Sequence, residues 1–372
     1  MAALSSDPVL ILGGGLMGLS IAHALAQKGQ AVVVISRCRK EAAGFVAAGM
    51  LAPHAEGLGG GLLALGQASL QLIPRWVAGI EEDSGLSCGL HTTGIVVPFA
   101  STAEREAFPT ACFGEVLERE SLEREVPGIG PIWRTGLLFR QDGQLDNRRF
   151  LMRALEAACV NRGVAFLEGS EVVSLLPQSS AGSALGGVQI RRAHGPLQTL
   201  ACSRAVLACG AWSAQLLPDL PVFPVKGQML SLQAPRQGLR RVLFGPGTYL
   251  VPREDGLVVV GATSEPDAGF DRGLTPSGQI QLERGVASLL PSARSWPQME
   301  RWCGFRPCTP DQGPLLGEGP IPGLWLATGH FRNGVLLAAV TAEAIAARLT
   351  GAAADPEAMR WLEVFRVDRF QG

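Results

Sequence analysis

Residues 9–18 read V-L-I-L-G-G-G-L-M-G, from Val9 to Gly18. Four apolar residues suited to a buried strand run into Gly13, Gly14, Gly15 and Gly18, and a helical pattern follows over 19–27. The spacing is G-x-G-x-x-G between a strand and a helix. In that setting Gly13 permits the sharp turn, Gly15 lets the backbone approach a pyrophosphate, and Gly18 lets helix and strand pack closely. The helix start then offers unpaired N–H groups and a partial positive charge to phosphate. In a chain with 47 glycines the motif alone is weak; its position, strand before and helix after, makes it a dinucleotide-binding turn.

A second parallel strand is expected over 31–35, closing a βαβ unit. At its end, where an acidic residue commonly holds the adenosine ribose, stand Ser36 and Arg37. Serine can bond a ribose hydroxyl, whereas arginine suits a 2′-phosphate. The turn by itself therefore leaves both FAD and NADP open.

The bulk composition narrows the classes. A chain of 372 residues fits two domains, or one carrying a large insertion. The 32 basic and 33 acidic residues nearly cancel, which points away from nucleic acid and from acidic membrane surfaces as partners. All basic residues but Lys28, Lys40 and Lys226 are arginine, so no arginine is notable for its type alone. Eight scattered cysteines form no C-x-x-C and no metal-ligand spacing with the five histidines; they read as reduced, mostly buried residues of a cytoplasmic protein without a metal. No signal peptide is expected in M-A-A-L-S-S-D-P. The apolar run 9–26 is interrupted by the glycines and His23, as befits a buried strand and helix rather than a membrane span.

Three further blocks carry a resemblance. Residues 42–56 read A-A-G-F-V-A-A-G-M-L-A-P-H-A-E, residues 304–311 read G-F-R-P-C-T-P-D, and residues 329–334 read G-H-F-R-N-G. With the first turn they span nearly the whole chain. The sequence resembles the D-amino-acid oxidase superfamily, and within it the FAD-dependent glycine oxidases of thiamine biosynthesis. The resemblance implies an α/β fold: a Rossmann-like, glutathione-reductase-like FAD-binding domain with an inserted α+β antiparallel-sheet substrate domain. The FAD-binding domain would comprise 1–84, 143–220 and 306–372, and the substrate domain 85–142 and 221–305.

The same resemblance supplies site residues. Gly13, Gly15, Leu16, Met17 and Gly18 would hold the pyrophosphate, and Ser36 and Arg37 the ribose. Ala43, Gly44, Ala48, Gly49 and Met50 would lie along the flavin, and Val172 would cover the adenine. His330, Phe331, Arg332, Asn333, Gly334, Val335 and Leu336 would wrap the isoalloxazine ring. Arg306 would anchor a substrate carboxylate through two parallel hydrogen bonds, a geometry that guanidinium provides and ammonium does not. Arg332 would lie near flavin and substrate, and Tyr249, the only tyrosine, over the ring. A helix starting near Asn333 would point its positive end at the flavin. Cys303 stands close to where related sarcosine oxidases attach flavin, yet as one of eight scattered cysteines it leaves non-covalent FAD as the expectation. Lys226 is read either as facing the flavin or as a solvated loop charge, and His54 as structural rather than as a base. Ser264 replaces a methionine of some relatives, which leaves pocket size open.

Between these blocks the pattern gives a helix over 62–82, strands over 91–99 and 136–140, a charged helix over 115–125 and a helix over 150–161. Strands are expected over 164–167, 172–176, 205–212, 222–232, 248–252, 257–262, 299–305 and 323–328, with a small-residue loop over 179–187, a helix over 279–290 and a last helix to 349. The function implied is oxidation of glycine and small amines to an imine, with O2 giving hydrogen peroxide. The imine would be handed to thiazole synthase, and the enzyme would be a homo-oligomer, dimer or tetramer. The alternatives are a D-amino-acid or sarcosine dehydrogenase using another acceptor, and a flavin-binding protein without turnover.

Overall fold

A computed structural model describes residues 7–178, 184–193, 195–235, 238–352 and 356–370. The opening strand Val9–Leu12 lies in the middle of a six-stranded sheet. It pairs in parallel with Val32–Ser36 on one side and Ala205–Leu207 on the other. Ala165–Glu168 and Leu324–Thr328 extend the parallel set, and Leu315–Glu318 adds one antiparallel edge. Strand residues alternate between two cores, as the two-residue period of a strand requires. Val9, Ile11, Val32 and Val34 pack on the helices Leu16–Gln27, Gly60–Ser84, Met152–Asn161 and Gly334–Thr350. Leu10, Leu12, Val33 and Ile35 pack on the other face against Leu185, Val188 and Ile190 of a small three-stranded sheet.

A second sheet has eight strands in the order Gln298–Cys308, Phe223–Gln233, Leu257–Gly261, Thr248–Pro252, Val242–Gly245, Ile95–Phe99, Thr135–Phe139 and Glu115–Glu118. It is antiparallel except where Val242–Gly245 runs parallel to Ile95–Phe99. One face is sealed by the helix Pro276–Leu289, whose Leu282, Val286 and Leu289 meet Leu230, Leu250 and Val260. The chain crosses between the two large sheets several times. Where it crosses, Met50–Leu51, Gly143–Leu145 and Leu90–His91 form a short three-stranded connection.

Several local expectations need correction. Glu115–Glu118 is an edge strand and only Arg119–Glu125 is helical. Leu117 supplies the reason: it is buried against the sheet, while Val116 and Glu118 on either side of it face solvent, a pattern that a helical reading of the acidic run overlooks. The strand expected from 205 with its stop at Gly210 already ends at Leu207, and Gly210–Trp212 turns into a short helix. Residues 179–183 of the small-residue loop lie outside the described residues, and Leu185–Arg192 is already strand. The strand ending at Cys308 continues past the expected domain boundary at 305, so Arg306 stands in the eight-stranded sheet. Among the described residues no helix is long and apolar enough to cross a membrane.

Candidate active site

One cavity of about 790 Å3 runs from the glycine turn to the eight-stranded sheet. That volume lies in the upper part of the range for small-molecule and cofactor sites. Its first end is built by the turn. Gly13 has φ +114, and a Cβ there would stand 2.4 Å from the Ala208 carbonyl oxygen. The helix begins at Leu16, three residues before the pattern suggested, with Gly15 as its N-cap and no side-chain cap. Its first N–H groups therefore have no partner within the helix, and Gly13, Gly14, Gly15, Leu16 and Met17 line the cavity. Gly18 does not line it. A Cβ on Gly18 would lie 1.9 Å from the Gly13 carbonyl oxygen, so this glycine serves the contact between turn and helix.

Beside the turn, Ser36 and Arg37 also line the cavity. Arg37 is held by two carboxylates, Glu41 at 3.2 Å and Glu171 at 3.4 Å. A 2′-phosphate would meet both negative charges, so the local electrostatics favour an unphosphorylated ribose, as in FAD. Val172 lines the same end.

The middle is a ledge of small residues. Ala43, Gly44, Ala48, Gly49 and Met50 line the cavity. Gly49, at φ +83, would place a Cβ 2.0 Å from the Leu145 carbonyl oxygen, and Asn147 donates to the Gly44 carbonyl. Buried Arg253, just past the end of strand Thr248–Pro252, donates to the Ala48 carbonyl (2.5 Å) and to Gln144 Oε1 (2.7 Å). On the opposite side Gly329, His330, Phe331 and Arg332 form a turn before the helix Gly334–Thr350. Phe331 adopts φ 45, a left-handed conformation costly for a phenylalanine, and its N–H is tied to the Pro307 carbonyl at 2.8 Å. His330, Phe331, Arg332, Gly334 and Val335 line the cavity. Asn333 and Leu336 do not: Asn333 is the helix cap, and Leu336 is buried in the core between the helices. Burial holds the His330 imidazole down at about 3, which keeps it neutral.

At the far end Arg306, Tyr249, Arg332 and Glu56 share the cavity wall. Cross-strand pairing explains two of these placements. Tyr249 stands opposite Gly261, where a Cβ would come 2.3 Å from the phenol oxygen. Arg306 lies over Gly227, where a Cβ would come 2.4 Å from its guanidinium, and it donates to the Thr263 carbonyl at 3.1 Å. Burial raises the Tyr249 hydroxyl above the usual tyrosine range, against the pull of nearby Arg306. Phe244 stacks on the Tyr249 ring at 6.3 Å between centroids, and Ser264 lines the same end.

Glu56 is the residue that sequence reasoning passed over. Its side chain is only 5% exposed; Oε2 is 3.4 Å from Arg332 Nη2 and has no hydrogen-bond partner among the described residues. Burial pushes its carboxyl above the usual range, opposed by Arg332 and Arg306. The loop bearing it is fixed from below. His54 Nδ1 and Asp142 Oδ1 are 2.6 Å apart, and the Ala55 N–H donates to Asp142 Oδ2 at 2.8 Å. His54 is thus held by Asp142 outside the cavity lining. Lys226 is neither a flavin-facing nor a loop residue: it is buried on a strand away from the cavity lining, bonded to Asp271 at 2.9 Å. Cys303 is likewise absent from the lining, and its thiol donates to the Arg272 carbonyl.

The glycine-permitted cradle, the exposed helix N–H groups, the flat small-residue ledge and the second helix start together fit FAD. Comparison with known proteins agrees. Residues 8–348 match the family model described as DAO, FAD dependent oxidoreductase. The chain is 31% identical to the glycine oxidase of Bacillus licheniformis, covering 97% of this chain and 96% of that one. It is 40% identical to the bifunctional protein ThiO/ThiG of Nostoc sp. over 94% of this chain but only 53% of the relative, so it spans about half the length of such relatives. The crystal structure of glycine oxidase from Geobacillus kaustophilus superposes with a TM-score of 0.87 at 29% identity, covering 98% of each chain. A cavity built for a flavin dinucleotide and a family match over most of the sequence lead to one conclusion: this chain belongs to the DAO family of FAD-dependent oxidoreductases.

Proposed function

We propose that this chain oxidises glycine and other small amino acids at the carbon–nitrogen bond, with O2 as electron acceptor and hydrogen peroxide as by-product. The observation that carries this reading is the meeting of Arg306 and Tyr249 at the end of the cavity remote from the glycine turn. Bound FAD supplies a two-electron acceptor for hydride from the substrate α-carbon. Everything else falls to the protein. Arg306 is always charged and presents two donors to a carboxylate, which fixes the α-carbon at one distance from the ledge. Tyr249 adds a hydroxyl donor beside it. Gly334 and Val335 bring helix N–H groups to the cavity, where they favour negative charge. No histidine is asked to act as a base, since His330 is buried and neutral and His54 is occupied by Asp142.

The names of the relatives support glycine as substrate. The joining of ThiO and ThiG in one relative supports transfer of the imine product to a thiazole synthase. Arg306→Ala tests the site. A buried contact between carboxylate and arginine is worth about 3–5 kcal/mol, which corresponds to roughly a hundred- to a few thousand-fold in KM for glycine. Steady-state peroxide assays would read this directly, and an unchanged KM would place the carboxylate elsewhere.

A further inference from the structure

We propose that Glu56 is the amine-facing group of this site, receiving the substrate ammonium on its free carboxylate oxygen and accepting one proton from it. The inference rests on the amino-acid reading above and deepens it. Three observations lead to it. First, Glu56 lines the same cavity end as Arg306 and Tyr249. Second, its Oε2 is a buried acceptor without a donor; Arg332 at 3.4 Å is near enough to attract it but is not bonded to it. Buried polar atoms are nearly always paired, so an orphan at a cavity wall marks a place where a ligand donor belongs. Third, the pairing of His54 with Asp142 and the bond from the Ala55 N–H anchor the two residues just before Glu56, so its backbone is held at the cavity wall.

The chemistry supplies the reason. An amino acid reaches the site as a zwitterion, one negative and one positive group on adjacent atoms. Arg306 matches the first, and the site needs an anion for the second. An ammonium has no lone pair to support loss of hydride from the neighbouring carbon, so the proton must leave first. In the transfer proposed, an N–H bond of the ammonium breaks and an O–H bond forms on Glu56 Oε2. The electron pair stays on nitrogen, and the net charge of the pair is conserved. Burial, which raises the proton affinity of Glu56, makes it a better acceptor than an exposed carboxylate. The charged and titratable groups facing it are Arg332 from the turn before the last long helix, Arg306 and Tyr249 from the eight-stranded sheet, and Asp142 with His54 beneath its own loop.

Two measurements on the FAD-loaded protein test this. In the first, acetate is titrated calorimetrically in buffers of different ionisation heat between pH 6 and 9. A carboxylate bound on Arg306 raises the proton affinity of Glu56, so the wild type takes up protons on binding; Glu56→Gln and Glu56→Ala lose that uptake and Glu56→Asp keeps it. In the second, flavin bleaching by glycine is followed anaerobically against pH. Glu56→Gln is expected to lower the apparent second-order rate at neutral pH by at least about tenfold and to move the profile upward by at least one pH unit, towards the free amine of glycine itself. Proton uptake unchanged in both neutral variants, or absent from the wild type, overturns the assignment; so does an unmoved pH profile. If acetate-linked uptake depends on Glu56 while no small amino acid bleaches the wild type, the substrate reading fails and Glu56 stands only as the titrating group of an anion site.

Discussion

Gly15 and Gly18 are three residues apart and ask different things of a methyl group. At Gly18 a Cβ would stand 1.9 Å from the Gly13 carbonyl oxygen, a backbone atom that cannot step aside. At Gly15 the nearest atom is the Ala42 Cβ at 3.3 Å, and the residue faces the cavity. Gly18→Ala is therefore expected to destabilise the fold by at least about 2 kcal/mol through overpacking. Gly15→Ala is expected to cost about 1 kcal/mol or less in stability while releasing FAD. Urea unfolding together with flavin content after gel filtration separates the two effects; equal loss of stability in both variants would contradict the division of labour. Glu56 shows the limit of residue-level reading. Its letter closes the motif A-A-G-M-L-A-P-H-A-E, but nothing in the local sequence says that the carboxylate is buried. That depends on Asp142, which is 88 residues from His54 and meets it only in the folded chain.

At the scale of elements, two helix starts and one loop surround the cavity. The strand, glycine turn and first helix were legible because a four-residue apolar run, positive-φ glycine chemistry and helical periodicity all agree over 9–27. The strand Glu115–Glu118 was not legible, since its charged residues face solvent from an edge and only Leu117 reports the sheet. Lys226 was misread for a related reason: it sits buried on a strand and reaches an exposed partner, Asp271, 45 residues away, which no local pattern announces. The 53–56 loop has a consequence that can be measured. Asp142 accepts from the Ala55 N–H and meets His54, both buried. Asp142→Asn weakens a charge-assisted bond of a kind worth about 1.5–3 kcal/mol. We expect a loss of stability of that order together with weaker glycine binding, because Glu56 is no longer held. Unchanged stability and KM would mean that the loop is fixed by other contacts.

At the scale of the molecule, two large sheets, each packed on its own apolar clusters, meet where the cavity lies. Arg253, just past the end of strand Thr248–Pro252, spans the join, donating to the Ala48 carbonyl of the ledge and to the Leu145 carbonyl of the short connecting strand; burial lowers its guanidinium to about 10. The small-residue ledge and the Arg306 end of the cavity are thereby fixed relative to one another, which is what transfer between two bound molecules requires. Family-level motifs made this arrangement readable in outline, since they fall on both sides of the cavity. The order of the eight strands and the continuation of one of them through Arg306 come from long-range pairing that no local pattern carries. The central claim is that one cavity holds a flavin along the glycine turn and a small amino acid at Arg306. Adding glycine without oxygen to the purified yellow protein tests it most directly: the flavin absorbance should bleach and return when air is admitted, whereas a colour that persists with glycine and with every other small amine would contradict the account.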